Sequence, residues 1–176
     1  MGRYRPPVPR SSPYITREGY QSLADELKAL WKRRTRVTKA LTAAAAEGDR
    51  SENAEYIYRK KELREIDRRI RYLQKRLPDL KVVAQQPSDP RVIFFGAWVT
   101  LEDHEGTRCC YRIVGADEFD PAKGWISMDS PMAKALMKKT VDDEIRVATP
   151  QGRCEYTVTE VYYSTHPTSP HFSPVV

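Results

Sequence analysis

The sequence predicts an α+β protein, in which a long antiparallel α-helical coiled-coil hairpin is followed by a small antiparallel β-sheet domain with one short helix. Apolar residues recur at intervals of three and four through two consecutive stretches, and a polar turn with a glycine separates them. After residues 87–90 the pattern changes to short runs rich in β-branched and aromatic residues. The 176-residue chain is 40% apolar, more than a wholly disordered protein carries.

The first seam is Tyr20, Leu23, Leu27, Leu30, Val37, Leu41 and Ala44, broken at Arg34. Thr16 stands at a suitable N-cap position, and no proline or glycine follows Gly19 until Gly48. One helix is therefore expected over residues 20–46, with a turn near Gly48. The second seam, Tyr56, Leu63, Ile66, Ile70, Leu73 and Leu77, keeps heptad spacing until Pro78 stops it. At about 1.5 Å per residue the first helix spans roughly 40 Å, which is expected to hold the turn away from the rest of the protein.

Strands are expected over residues 92–95, 98–101, 111–114, 125–128, 145–148 and 156–163, with a helix over residues 131–139. Glu105-Gly106 and Gln151-Gly152 supply turns. The expected organisation is a disordered Arg- and Pro-rich extension (1–13), the hairpin (14–83), the sheet domain (84–163) and a disordered tail (164–176).

Charge follows the same division. Thirty Lys and Arg against 24 Asp and Glu give +6, but residues 14–83 hold 18 basic and 11 acidic side chains while residues 84–165 hold 9 and 13. No apolar run is long enough for a signal-peptide core or a membrane span, so a cytoplasmic protein without a membrane partner is expected. Cys109, Cys110 and Cys154 make neither a disulfide framework nor a zinc spacing. His104, His166 and His171 have no metal-binding spacing, and no Ser-His-Asp set or Gly-rich phosphate loop is present. Self-contained catalysis has little support, and any chemistry is expected to need a second protein.

Two carboxylates carry the chemical interest. Asp49 and Glu52 lie three residues apart at the start of the second helix, which puts them on one side of it. The same spacing forms a capping box, and the two readings stand together at this point. Two carboxylates are too few for a firm Mg²⁺ site, because the ion wants six oxygens. A nucleic-acid polymerase could supply the rest, with a permanent metal and room for a second ion roughly 4 Å away; Ser51 and Asn53 would orient ligands or water. Lys28, Lys32, Arg33, Arg34, Arg36 and Lys39 on the first helix face Arg59, Lys60, Lys61, Arg64, Arg68, Arg69 and Arg71 on the second. Lys28, Lys32, Arg33, Arg36, Lys60, Lys61, Arg64 and Arg68 are read as an RNA-guiding patch, with Tyr56 and Tyr58 as stacking surfaces. The alternatives are a solvated face and packed tyrosines.

Three runs resemble the Gre transcript cleavage factors of bacteria, the GreB branch more than GreA: Gly48-Asp49-Arg50-Ser51-Glu52-Asn53-Ala54-Glu55-Tyr56, Leu63-Arg64-Glu65-Ile66-Asp67-Arg68-Arg69-Ile70-Arg71-Tyr72-Leu73, and Phe94-Phe95-Gly96-Ala97-Trp98-Val99. A fourth, Ile126-Ser127-Met128-Asp129-Ser130-Pro131-Met132-Ala133-Lys134-Ala135-Leu136, looks like the signature of that family's C-terminal domain. The resemblance covers residues 14–163 and implies a sheet domain similar to FK506-binding proteins, docking on the rim of the RNA polymerase secondary channel through Asp129, Ser130, Pro131 and Met132. It implies a hairpin that enters the channel, with Asp49 and Glu52 holding Mg²⁺ jointly with the polymerase to promote cleavage of backtracked RNA near its 3′ end. It also implies that this protein, expected to be a monomer, is not an enzyme alone. The rival readings are a non-catalytic channel regulator and a prolyl isomerase with a helical arm.

Overall fold

The computed structural model describes residues 11–46, 54–149 and 152–163 of the chain. Most of the Arg- and Pro-rich extension, the turn with Asp49, Ser51, Glu52 and Asn53, and the tail from Ser164 lie outside the described residues. Glu18–Leu80 forms one compact unit, and the described residues on either side of it form the other.

The first unit is the helical hairpin. Helix α1 occupies Arg17–Ala46 and α2 occupies Ala54–Arg76, followed by a turn of 3₁₀ helix at Leu77–Asp79 where Pro78 ends the α-helical pattern. α1 begins before the apolar seam does, with Glu18 in its first turn, where a negative charge suits the helix dipole. Val37, Ile66 and Ile70 form the buried cluster of the seam, and Leu27, Leu30 and Leu63 pack against it half-buried. Three threonines are accommodated in α1 because each hydroxyl donates to a carbonyl four residues back: Thr35 to Trp31, Thr38 to Arg34 and Thr42 to Thr38.

The second unit holds a five-stranded sheet of order β5-β4-β3-β7-β6 and a separate two-stranded parallel pair. The pair joins β1 (Tyr14–Ile15) to β2 (Lys81–Val82), so the residues flanking the hairpin in sequence are hydrogen-bonded to each other within this unit. In the main sheet, β3 (Trp98–Asp103) and β4 (Arg108–Val114) form a hairpin. Asp103 sets its turn, accepting the N–H groups of Glu105 and Thr107 on one side-chain oxygen, and Gly106 takes the positive φ of +81°. β5 (Trp125–Ser127) lies parallel to β4, while β6 (Glu144–Thr149) and β7 (Gly152–Tyr162) pair antiparallel, and β7 also pairs with β3. Helix α3 (Pro131–Leu136) buries Ala133 and Leu136 in a core with Ile93, Val99, Leu101, Ile113 and Val158.

Two expectations need correction, and one contact explains both. Residues 92–95 are not a strand: Ile93 is fully buried and exchanges backbone hydrogen bonds with the segment after α3, donating to Lys139 O and accepting from Lys138 N, each at 2.8 Å. α3 accordingly ends at Leu136 rather than near residue 139, because Lys138 turns into the left-handed region (φ 68°) to reach Ile93. The last expected strand is also longer than its apolar run, starting at Gly152.

Candidate functional site

Three ion pairs clasp α1 to α2. Arg33 Nη2 lies 2.6 Å from Glu62 Oε1, Arg34 Nε lies 2.7 Å from Asp67 Oδ1, and Arg69 Nε lies 2.7 Å from Glu26 Oε1. The partners in each pair lie nearly symmetrically in sequence about residues 48–50, so the two helices run antiparallel to each other. Asp49 and Glu52 lie between the two helices in sequence, outside the described residues; α1 itself runs about 42 Å from Glu18 to Ala46 at 1.5 Å per residue.

Glu62 does the most in the clasp. It also bonds Arg59 Nη1 at 3.2 Å, and the Arg33 bond, with smaller help from Arg59, holds its carboxyl below the usual glutamate range against the opposing effect of burial. In turn Glu62 pushes the Arg59 guanidinium up, securing its charge. Arg59 occupies a seam position, between Tyr56 and Leu63, and among the described residues its Nε is enclosed without a hydrogen-bond partner. Arg33, Arg36, Val37, Ala40, Arg59 and Glu62 line an open cleft of about 360 Å³ on this flank.

All eight residues of the expected basic patch are exposed, but they do not make one surface. Lys28 and Lys32 lie on α1 opposite Leu27, Leu30 and Val37, and Lys28 is paired with Asp25 at 3.1 Å. Lys61, Arg64 and Arg68 follow one another by three and four residues on α2, opposite Leu63, Ile66 and Ile70, with no ion-pair partner among the described residues. Because the two seams face each other, these two sets point apart. Arg33 and Arg36 sit between them at the cleft, and Lys60 stands over the Tyr56 ring at 5.5 Å. Tyr58 is 60% exposed, whereas Tyr56 is half-buried.

The four docking candidates are close together in sequence but differently employed. Asp129 accepts two bonds from Ser12, from its N–H at 2.8 Å and its hydroxyl at 2.5 Å. Ser130 caps α3 by accepting the Ala133 N–H, Pro131 is exposed at the first helical position, and Met132 packs against the sheet core.

Two family models divide the chain between them: "Transcription elongation factor, N-terminal" matches residues 13–82, and "Transcription elongation factor, GreA/GreB, C-term" matches residues 87–163. The chain is 57% identical over 155 residues to transcription elongation factor GreB of Haemophilus ducreyi, covering 88% of this chain and 96% of that one. It is 55% identical over 168 residues to GreB of Pseudomonas aeruginosa, covering 95% and 100%. The chain belongs to the GreA/GreB family of transcription elongation factors. Among solved structures it matches GreA factor homolog 1 of Thermus thermophilus at 28% identity, with a TM-score of 0.40 over 87% of this chain and 99% of that one.

A Gre factor acts on RNA polymerase, stimulating the polymerase's own RNA cleavage rather than catalysing it. Among the described residues there is no group of His, Cys, Asp or Glu able to hold a metal, and no helix is long and apolar enough to cross a membrane. Sequence reasoning missed two features of this Gre factor. The role of Arg59 was within reach, since the heptad register puts it in the seam; the grip of Asp129 on Ser12, 117 residues away, left no local signal.

Proposed function

We propose that this Gre factor inserts its hairpin into the secondary channel of RNA polymerase and completes a metal site there. Asp49 and Glu52 would hold a Mg²⁺ ion jointly with the polymerase, whose resident metal and carboxylates make up the six oxygens that the ion requires. The ion supplies Lewis-acid chemistry at the scissile phosphodiester of backtracked RNA; Ser51 and Asn53 orient ligands or water beside it. What supports this reading is the clasped antiparallel pairing of α1 and α2, with Asp49 and Glu52 lying between the two helices in sequence and α1 running about 42 Å from Glu18 to Ala46.

The exposed cations serve the extruded RNA by charge, without reading its sequence. Arg33 and Arg36 do so at the cleft, Lys60, Lys61, Arg64 and Arg68 along α2, and Lys28 and Lys32 on the far face of α1. The Asp129–Met132 loop docks at the rim of the channel, with Pro131 as its exposed contact. The setting is the cytoplasm, where polymerase and backtracked RNA occur together.

The test separates binding from chemistry. Asp49→Asn and Glu52→Gln are assayed for release of short 3′ RNA from backtracked complexes, and for competition with the unsubstituted protein for polymerase. The expected result is loss of cleavage by 100-fold or more with binding changed less than about threefold. Parallel loss of both would refute this division of roles.

A further inference from the structure

We propose that Trp31 is a base-stacking platform for single-stranded RNA on one rim of the hairpin. The inference rests on the reading that extruded RNA lies along the hairpin, and adds to it the ring on which a base would sit.

Trp31 is 44% exposed on α1. It stands outside the apolar seam, one helical turn before Arg34, whose Nε reaches Asp67 on α2 at 2.7 Å. The Arg34 guanidinium lies over the indole, 5.8 Å from the centre of the ring. The ring thus rests on a cation that is itself held by a carboxylate of the other helix. It has little rotamer freedom left to lose when a base stacks on it, which is how a preorganised contact differs from a loose surface aromatic.

The two rims of the hairpin differ in charge. Asp67 shares its side of α2 with Arg64 three residues before it and Arg71 four after it, and Lys60 lies one heptad before it. Together with Arg34 these place four cations around one carboxylate on the rim that carries Trp31. Arg33 is rotated about 100° from Arg34 and belongs to the opposite rim, where Arg33, Arg59 and Arg69 are engaged by Glu62 and Glu26. Tyr58 and Tyr72, also open to solvent, lie on that second rim, four residues before Glu62 and three after Arg69. Both rims offer aromatic rings, but the Trp31 rim joins an open ring to an excess of cations. Single-stranded nucleic acid is bound by that combination, phosphates on the cations and bases on the ring faces. The excess of positive charge favours a polyanion over a protein surface as the occupant. Because every base has a flat face, the contact would hold extruded RNA of any sequence.

The test measures binding of full-length proteins to two targets, core polymerase free of nucleic acid and backtracked complexes with long extruded RNA. Trp31→Ala and Trp31→Leu are expected to bind the backtracked complexes about fivefold more weakly, and core polymerase with less than about a twofold change, while Trp31→Phe stays near the unsubstituted protein on both. Photoreactive uridine in the extruded RNA is expected to crosslink to Trp31. Leucine keeps an apolar cover beside Arg34 without a stacking face, so loss with alanine but not with leucine would make the ring a prop for Arg34 and overturn the proposal. Equal weakening on both targets would assign Trp31 to the protein wall of the channel and overturn it as well, as would unchanged binding of Trp31→Ala to both. A variant with Lys61, Arg64 and Arg68 replaced by alanine separates this inference from the reading beneath it. If that variant is also indifferent to the extruded RNA, the RNA reading itself fails; if it loses RNA-dependent affinity while the Trp31 variants do not, the stacking alone is removed.

Discussion

Leu101, Ile113, Leu136 and Val158 of the sheet unit are withdrawn from solvent completely and belong to one large cluster of buried apolar residues. In the hairpin the buried cluster consists of Val37, Ile66 and Ile70, with three leucines half-covered beside it. Two helices cannot enclose a core on all sides, so the hairpin relies on clasps at its rims, Arg33 to Glu62, Arg34 to Asp67 and Arg69 to Glu26. Thickness is exchanged for reach. The sheet unit can be a rigid platform for docking, whereas the slender part carries the carboxylates and is the more sensitive to salt and acid.

The largest expected effect lies in the sheet. Leu101→Ala should cost about 3 to 4 kcal/mol because the site is enclosed and cannot collapse, while Ile70→Ala in the hairpin should cost about 2 kcal/mol, since solvent reaches the seam's edges. Urea unfolding of each unit, followed by near-ultraviolet signals for the sheet and helical circular dichroism for the hairpin, checks the order; equal costs would break the comparison.

A smaller effect is expected at the clasp. Glu62→Gln should destabilise the hairpin by about 1 kcal/mol, and less in high salt. The folded-state pKa of Glu62 is lowered, so its contribution is complete above the unfolded value and fades as pH falls through the lowered one. Helicity of the unsubstituted protein should therefore decline below about pH 4.3, and the variant should show a weaker decline over that window. An identical acid profile would remove Glu62 from the clasp.

The smallest effect sharpens the division within the hairpin. Replacing Lys61, Arg64 and Arg68 by alanine should lower the apparent affinity for complexes with long extruded RNA by a few fold, and replacing Lys28 and Lys32 by less, because Lys28 is already engaged by Asp25. Crosslinking of each helix face to photoreactive RNA measures the difference.

The hairpin was legible because its seams repeat with the helical period, and the interruption at Arg34 proved to be a rim position that reaches Asp67. The sheet was legible less completely. Val92, Ile93, Phe94 and Phe95 have strand composition, yet what decides their conformation is Lys138 and Lys139, and Tyr163, whose hydroxyl accepts the Phe94 N–H and donates to Val92 O. Met137 and the lysines after it are good helix formers, overridden by the same contact. For the site, the spacing of Asp49 and Glu52 could be read but also described a cap, and the family likeness raised the metal reading. The basic residues were legible as charge; their division onto opposite faces depends on which way each seam points.

The measurement that bears most directly on the tip is the Mg²⁺ dependence of RNA release from backtracked complexes saturated with factor, comparing the unsubstituted protein with Asp49→Asn. Asparagine keeps the hydrogen-bonding ability of a cap and loses the charge of a metal ligand. A variant that cleaves at least 100-fold more slowly, and recovers part of that loss as Mg²⁺ is raised, is the predicted result. Cleavage at the unsubstituted rate with the same Mg²⁺ dependence would make Asp49 a helix cap and contradict the account.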